Sequence, residues 1–100
     1  MRVNIVGRDF TVKDEDREYA ESKTDKLVRY FDLTQLITFT MNKKDNKGEY
    51  EVECIVDVEK HDDFVASGRA EDLRKAIDIS VEKAGRQLRD FKEKLKTSHR

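Results

Sequence analysis

Residues 49–59, EYEVECIVDVE, alternate without a break. Tyr50, Val52, Cys54, Val56 and Val58 fall on one side of an extended chain, and Glu49, Glu51, Glu53, Ile55, Asp57 and Glu59 on the other. Successive side chains of a strand point to opposite faces, so this period of two predicts a strand with one face in a core and the other wet and acidic. A sheet with one apolar face needs a cover, and the rest of the chain has to supply it.

The flanking segments extend the sheet. QLITFTMN, residues 35–42, sets Ile37, Phe39 and Met41 against Leu36, Thr38 and Thr40, and KKDNKGE follows with Asn46 and Gly48 as turn residues. After EKHDD turns the chain, Phe64, Ala66 and Gly68 face inward on a further strand. Near the N-terminus Val3 and Ile5 alternate with Arg2 and Asn4 in a short strand ended by Gly7. From Asp14 the period becomes three to four, through Asp16, Tyr19, Ala20, Lys23, Leu27, Tyr30 and Phe31. Acids in the first turn of that helix and Lys26 and Arg29 in its last suit the helix dipole. A second helix of some 25 residues carries Leu73, Ile77, Ser80, Val81, Ala84, Leu88, Phe91 and Leu95 on its apolar stripe, with its end projecting past the sheet. The order β-α-β-β-β-α predicts an α+β two-layer sandwich: a four-stranded sheet covered on one face by two helices.

One hundred residues make a single domain, 1–100. A lone cysteine excludes an internal disulfide and is compatible with a reducing cytosol. MRVNIVGRDF has no apolar run long enough for a signal peptide, and no segment approaches 18 apolar residues, so a cytoplasmic protein without a membrane partner is expected. Nothing resembles an active site. His61 sits in KHDD, a hydrophilic turn rather than a metal site, and Cys54 alternates with valines as a core residue rather than a nucleophile. Gly7, Gly48, Gly68 and Gly85 form no phosphate-binding loop. No catalytic residue, metal, cofactor or small-molecule substrate is expected.

Charge is the remaining signal. Residues 83–100 hold seven basic side chains against two acidic ones, a net +5, so residues 1–82 carry −6 within a chain of net charge −1. One reading is a solvated helix face with pairs such as Asp90–Lys94. The other is an anion-binding surface. Both helices cover the same sheet face, so Lys23, Lys26 and Arg29 can join Lys83, Arg86, Arg89, Lys92 and Lys94 in one layer. Such a surface suits phosphates, and with no aromatics expected on it, it favours structured RNA recognised by shape over stacked single strands. Gly85, mid-helix, either faces solvent or lets another backbone approach.

GRDFTV (7–12), REYAESKTDKLVRYFD (17–32), DLRKAID (72–78) and EKAGRQLRDFKEKL (82–95) together resemble the ribosome hibernation-promoting factor and ribosome-associated inhibitor family, once called sigma-54 modulation proteins. The resemblance covers nearly the whole chain. It implies the same element order, a fold similar to a double-stranded-RNA-binding domain, and a non-enzymatic role: binding the small ribosomal subunit in its mRNA and tRNA channel, touching its rRNA and holding ribosomes inactive during stress. By motif match the rRNA-facing residues would be Lys23, Lys26, Lys83, Arg86, Gln87, Arg89, Lys92 and Lys94. Two departures stand out. The usual Asp-Met-Tyr-x-Ala-Ile-Asp reads Asp72-Leu73-Arg74-Lys75-Ala76-Ile77-Asp78, and the usual Thr cap of the first helix is Lys13, leaving Thr11 or Asp14 to cap it. Long members carry a C-terminal dimerisation domain, and this chain, ending at Arg100, reads as a short form or an N-terminal domain, monomeric by expectation. The rival readings are a general structured-RNA-binding module and a protein-interaction regulator acting through the acidic sheet face at Glu51, Glu53 and Asp57.

Overall fold

A computed structural model describes residues 2–30, 33–44 and 48–98; Phe31, Asn46, His99 and the side chain of Tyr30 lie outside the described residues. The elements are β1 (Arg2–Arg8), α1 (Asp14–Tyr30), β2 (Thr34–Lys44), β3 (Glu49–Val58), β4 (Phe64–Ala70) and α2 (Leu73–Ser98), in the expected order. The sheet runs β1-β2-β3-β4. β2, β3 and β4 pair antiparallel, while β1 lies parallel to β2, a pairing that needs the crossover α1 provides. β1 passes through Gly7 to Arg8 rather than ending at the glycine.

The alternation that predicts β3 holds from Val52 onward: Val52, Cys54, Val56 and Val58 are buried and the intervening residues are not, while Tyr50, expected with them, is only partly buried against the core. Ile37, Phe39 and Met41 of β2 are fully buried beside them. Ala20, Thr24 and Leu27 of α1, and Leu73, Ala76, Ile77, Val81, Ala84 and Leu88 of α2, close the core from one side. Thr24 was not expected there. Its hydroxyl donates to the Glu21 carbonyl at 2.6 Å, as buried Ser80 does to Ile77 at 2.8 Å, so neither is left unsatisfied. Beyond Leu88 the α2 stripe thins, with Phe91 and Leu95 only partly buried at the core's margin.

Two local features set the helix positions. At the head of α1 the N-cap is Lys13 itself, neither Thr11 nor Asp14, its carbonyl accepting from the amides of Asp16 and Arg17 at 3.0 Å. On β4, a Cβ placed on Gly68 would lie 2.5 Å from the Ala76 carbonyl oxygen and 2.7 Å from the Ser80 nitrogen. Only glycine lets the α2 backbone settle that closely onto the strand. Gly85 is buried too, on the side of α2 towards α1, and does not face solvent.

The open face of the sheet carries the acidic column expected of β3, with cations beside one end of it. Across the ladders of β3, Glu49 faces Lys44 of β2 and Glu51 faces Arg69 of β4, whereas Glu53 lies between Thr40 and Ser67. Glu51 takes Arg69 Nε at 2.9 Å and Lys44 Nζ at 3.5 Å. The acidic column belongs to one strand, and its neighbours offset it at the Glu49–Glu51 end. Val6 and Val65 stand exposed on the same face.

Candidate nucleic-acid interface

α1 and α2 run side by side in the same direction. Near their starts Arg74 Nε reaches Asp16 Oδ1 at 3.1 Å, and the Tyr19 hydroxyl donates to Asp78 Oδ1 at 2.7 Å. Near their ends Arg29 and Arg89 line one hollow. Both C-termini, with the partial negative charge of their dipoles, therefore lie at the same end of the molecule, where cations are favoured.

Between the helices runs a groove of about 430 Å³ lined by Lys23, Lys26, Asp78, Val81, Glu82, Gly85 and Arg89. Arg89 also belongs to the next hollow, about 410 Å³, with Arg29, Asp90, Lys92, Glu93 and Lys96. On α2 the residues involved are Asp78, Glu82, Gly85, Arg89, Lys92 and Lys96, whose spacing of three and four puts them on one side of the helix. The upper groove is mixed in charge, since Lys23 Nζ lies 3.7 Å from Asp78 Oδ1. The lower end is richer in cations. Arg74, where the family pattern has tyrosine, lies with its guanidinium 5.0 Å from the Tyr19 ring centroid and is tied to Asp16, so it braces the helices.

The eight residues named from the sequence do not share one surface. Lys23, Lys26 and Arg89 line the groove and Lys92 the hollow beyond it. Arg86 is exposed on the helix crest, its Nη2 3.7 Å from Glu82 Oε1 one turn away, a solvent-screened pair worth little. Lys83 and Gln87 lie on the opposite flank, where Lys83 Nζ donates to the Ser67 carbonyl and Gln87 Nε2 to the Val65 carbonyl, both at 3.0 Å. Lys94 lines a separate hollow with Gln87, His61, Phe64, Asp90, Phe91 and Leu95. Lys96 was missing from the set, although its place on the Arg89–Lys92 stripe was readable from spacing alone.

The features set aside as non-catalytic have other occupations. His61 stacks on Phe64, with ring centroids 4.6 Å apart and planes 1° from parallel, and meets Phe91 at 4.4 Å. Burial pushes the Cys54 thiol up to about 12, so no thiolate is available near neutral pH. Among the described residues no group of three or more His, Cys, Asp or Glu is placed to hold a metal ion, and no helix is long and apolar enough to cross a membrane.

Residues 3–96 match the family described as "Sigma 54 modulation protein / S30EA ribosomal protein". The chain belongs to this family. A ribosome hibernation promoting factor of Azotobacter vinelandii is 35% identical over 94 residues, covering 94% of this chain and 85% of that protein. A ribosome hibernation promotion factor of Staphylococcus aureus (strain COL) is 30% identical over 101 residues, 100% of this chain but 53% of that protein, so this S30EA chain spans about half that relative's length. Among solved structures, a ribosomal subunit interface protein from Coxiella burnetii superposes with a TM-score of 0.84 at 20% identity, covering 93% of this chain and 99% of that one, a likeness of fold. The N-terminal domain of Thermus thermophilus Protein Y gives 0.79 at 25% identity, covering 91% and 99%. The four-stranded sheet and two helices are thus the S30EA fold.

Proposed function

We propose that this S30EA-family protein is a cytoplasmic ribosome hibernation factor whose domain, residues 1–100, binds the small subunit in its mRNA and tRNA channel and stops translation without catalysing a reaction. The observation that carries the reading is the convergence of Lys26, Arg29, Arg89, Lys92 and Lys96 at the shared C-terminal end of two parallel helices. The helix dipoles favour Arg29 and Lys96, which lie in the two last turns, and together with Lys26, Arg89 and Lys92 they present a ridge-and-groove surface to rRNA phosphates. Arg86 on the crest and Lys94 on the far flank extend that surface. Lys83 and Gln87 join it only by letting go of β4. The Azotobacter relative, matched along most of both chains, supports ribosome hibernation as the role.

The rival protein-partner reading needs an acidic sheet face, and the ion pairs of Glu51 with Arg69 and Lys44 weaken it at one of its three residues. Sedimentation with purified ribosomes and with separated subunits tests the proposal. Stoichiometric pelleting with the small subunit is expected, and it should be lost in Lys26→Glu with Arg89→Glu but kept in Glu53→Lys. Equal binding to unrelated structured RNA would replace the ribosomal reading with a general RNA-binding module.

A further inference from the structure

Three aromatic rings meet where the turn between β3 and β4 touches the second half of α2. His61 lies flat on Phe64, and Phe91 closes on the two at centroid distances of 4.4 and 5.3 Å. His61 Nδ1 donates to the Asp62 carbonyl at 2.6 Å, which steadies the imidazole over the stack. His61 is exposed, while Phe64, Phe91 and Leu95 are only partly buried. With Gln87, Asp90 and Lys94 they line a hollow of about 560 Å³. An exposed ring lying parallel on a second ring offers a flat face on which a further ring can stack. The rim indicates what that further ring belongs to. Asp90 accepts hydrogen bonds and Lys94, one turn on, donates them and carries positive charge. A nucleotide has the complementary set: a π face for the rings, an exocyclic amino group for Asp90 and a phosphate for Lys94. Asp90 also lines the cationic hollow of Arg29, Arg89, Lys92 and Lys96, so the aromatic hollow adjoins the basic surface. With residues 83–100 at net +5, a polyanion suits this end of α2 better than an apolar peptide does.

We infer that this hollow receives an unpaired nucleotide of the RNA bound by the helical layer, its base stacked against His61 and Phe91 and its phosphate on Lys94. The inference rests on the proposed RNA binding. It adds a base contact to a surface whose other residues grip phosphates, and it places aromatics where the charge pattern of the sequence promises none. Because Asp90 only accepts, a base with an amino group is preferred, adenine over uracil.

Adenosine 5′-monophosphate, uridine 5′-monophosphate and ribose 5-phosphate, titrated into the full chain, test the site by nuclear magnetic resonance. The first should move the ring signals of His61 and Phe91 upfield and saturably, and the second should move them less. The third has a phosphate but no base and should leave them in place. His61→Ala, in an exposed turn, and Phe91→Leu, which keeps apolar bulk at the core's margin, should each weaken adenosine monophosphate binding roughly tenfold, within the usual worth of one stacked base. Phe91→Leu should weaken small-subunit binding by a similar factor without changing its salt dependence, since no charge is removed. Ring shifts as large with ribose 5-phosphate, variants that bind adenosine monophosphate as the wild type does, or undiminished subunit binding by Phe91→Leu would each overturn the inference. Should the wild type fail to pellet with the small subunit, the ribosomal reading falls by itself, and the nucleotide titration still decides the hollow.

Discussion

Tyr19 and Asp78, 59 positions apart in sequence, meet at 2.7 Å through a hydrogen bond that fixes α1 against α2 at the head of the basic groove. Lys23 and Arg74 both lie over the Tyr19 ring, at 5.1 and 5.0 Å from its centroid, and Lys23 also reaches Asp78. The contact therefore sets both the spacing of the helices and the position of a groove lysine.

Tyr19→Phe should cost about 1 kcal/mol near neutral pH, the usual worth of a partly exposed hydrogen bond. The Asp78 carboxylate accepting its proton, with burial adding to the effect, holds the Tyr19 phenol above its ordinary value of 10.0. The stabilisation is then fully present below pH 10 and lost as pH rises through the folded-state value. Urea unfolding of wild type and variant should show the difference at pH 7 and its shrinkage in strong alkali. A constant difference across that range would mean the hydroxyl is not what matters.

Gly68→Ala should destabilise the domain by at least about 1–3 kcal/mol, because the new methyl meets the backbone of α2, which can yield only by moving the helix. Gly48→Ala is the comparison. Gly48 has φ of 62° with open space around it, so alanine there carries only the left-handed backbone cost of about 1–2 kcal/mol and should leave the helix in place. Thermal melts rank the two, and near-ultraviolet circular dichroism reports any shift of packing around the core aromatics.

Gly68 also marks the boundary of what the sequence disclosed. Residues 49–59 carried their register openly because alternation is a local property, and the stripes of α1 and α2 did so for the same reason. The roll of α2 about its axis relative to α1 is not local. It depends on how deeply the helix sinks onto β4, and so on a glycine whose partners, Ala76 and Ser80, lie on the helix that follows. Spacing alone already sets Lys83 and Arg89, six residues apart, about 120° apart around the helix; what the roll decides is that Arg89 turns to the groove beside α1 and Lys83 to β4. The open sheet face has a similar limit: the alternation of β3 is local, and the partners of Glu51 come from its neighbours, Lys44 of β2 and Arg69 of β4.

Glu51 and Arg69 give that face a measurable acid response. The Arg69 hydrogen bond, helped by the charges of Arg69 and Lys44 against the cost of burial, holds the Glu51 carboxyl below its ordinary 4.5. Its contribution is present above pH 4.5 and is lost as pH falls through the folded-state value. Arg69→Gln should therefore cost at most about 1 kcal/mol at pH 7, reduced by solvent around a half-exposed arginine, and nothing once Glu51 is protonated in both proteins. Denaturant midpoints at pH 7 and in strong acid would converge. If the gap persisted in acid, Arg69 would be acting through packing.

The salt dependence of ribosome binding separates the two flanks of α2. Each lysine or arginine seated on an rRNA phosphate displaces counterions and adds roughly 0.7–0.9 to the slope of log K against log salt. Lys26→Ala and Arg89→Ala, on the groove between the helices, should each flatten the slope by about that amount. Lys83→Ala removes the same formal charge from the opposite flank, where the ammonium is held by the Ser67 carbonyl, and should leave the slope unchanged. Glu53→Lys adds a positive charge to the open sheet face, remote from the helical layer, and should leave it unchanged as well. A slope indifferent to Lys26 and Arg89 but responsive to Lys83 would move the RNA to the β4 flank and take the groove out of the interface.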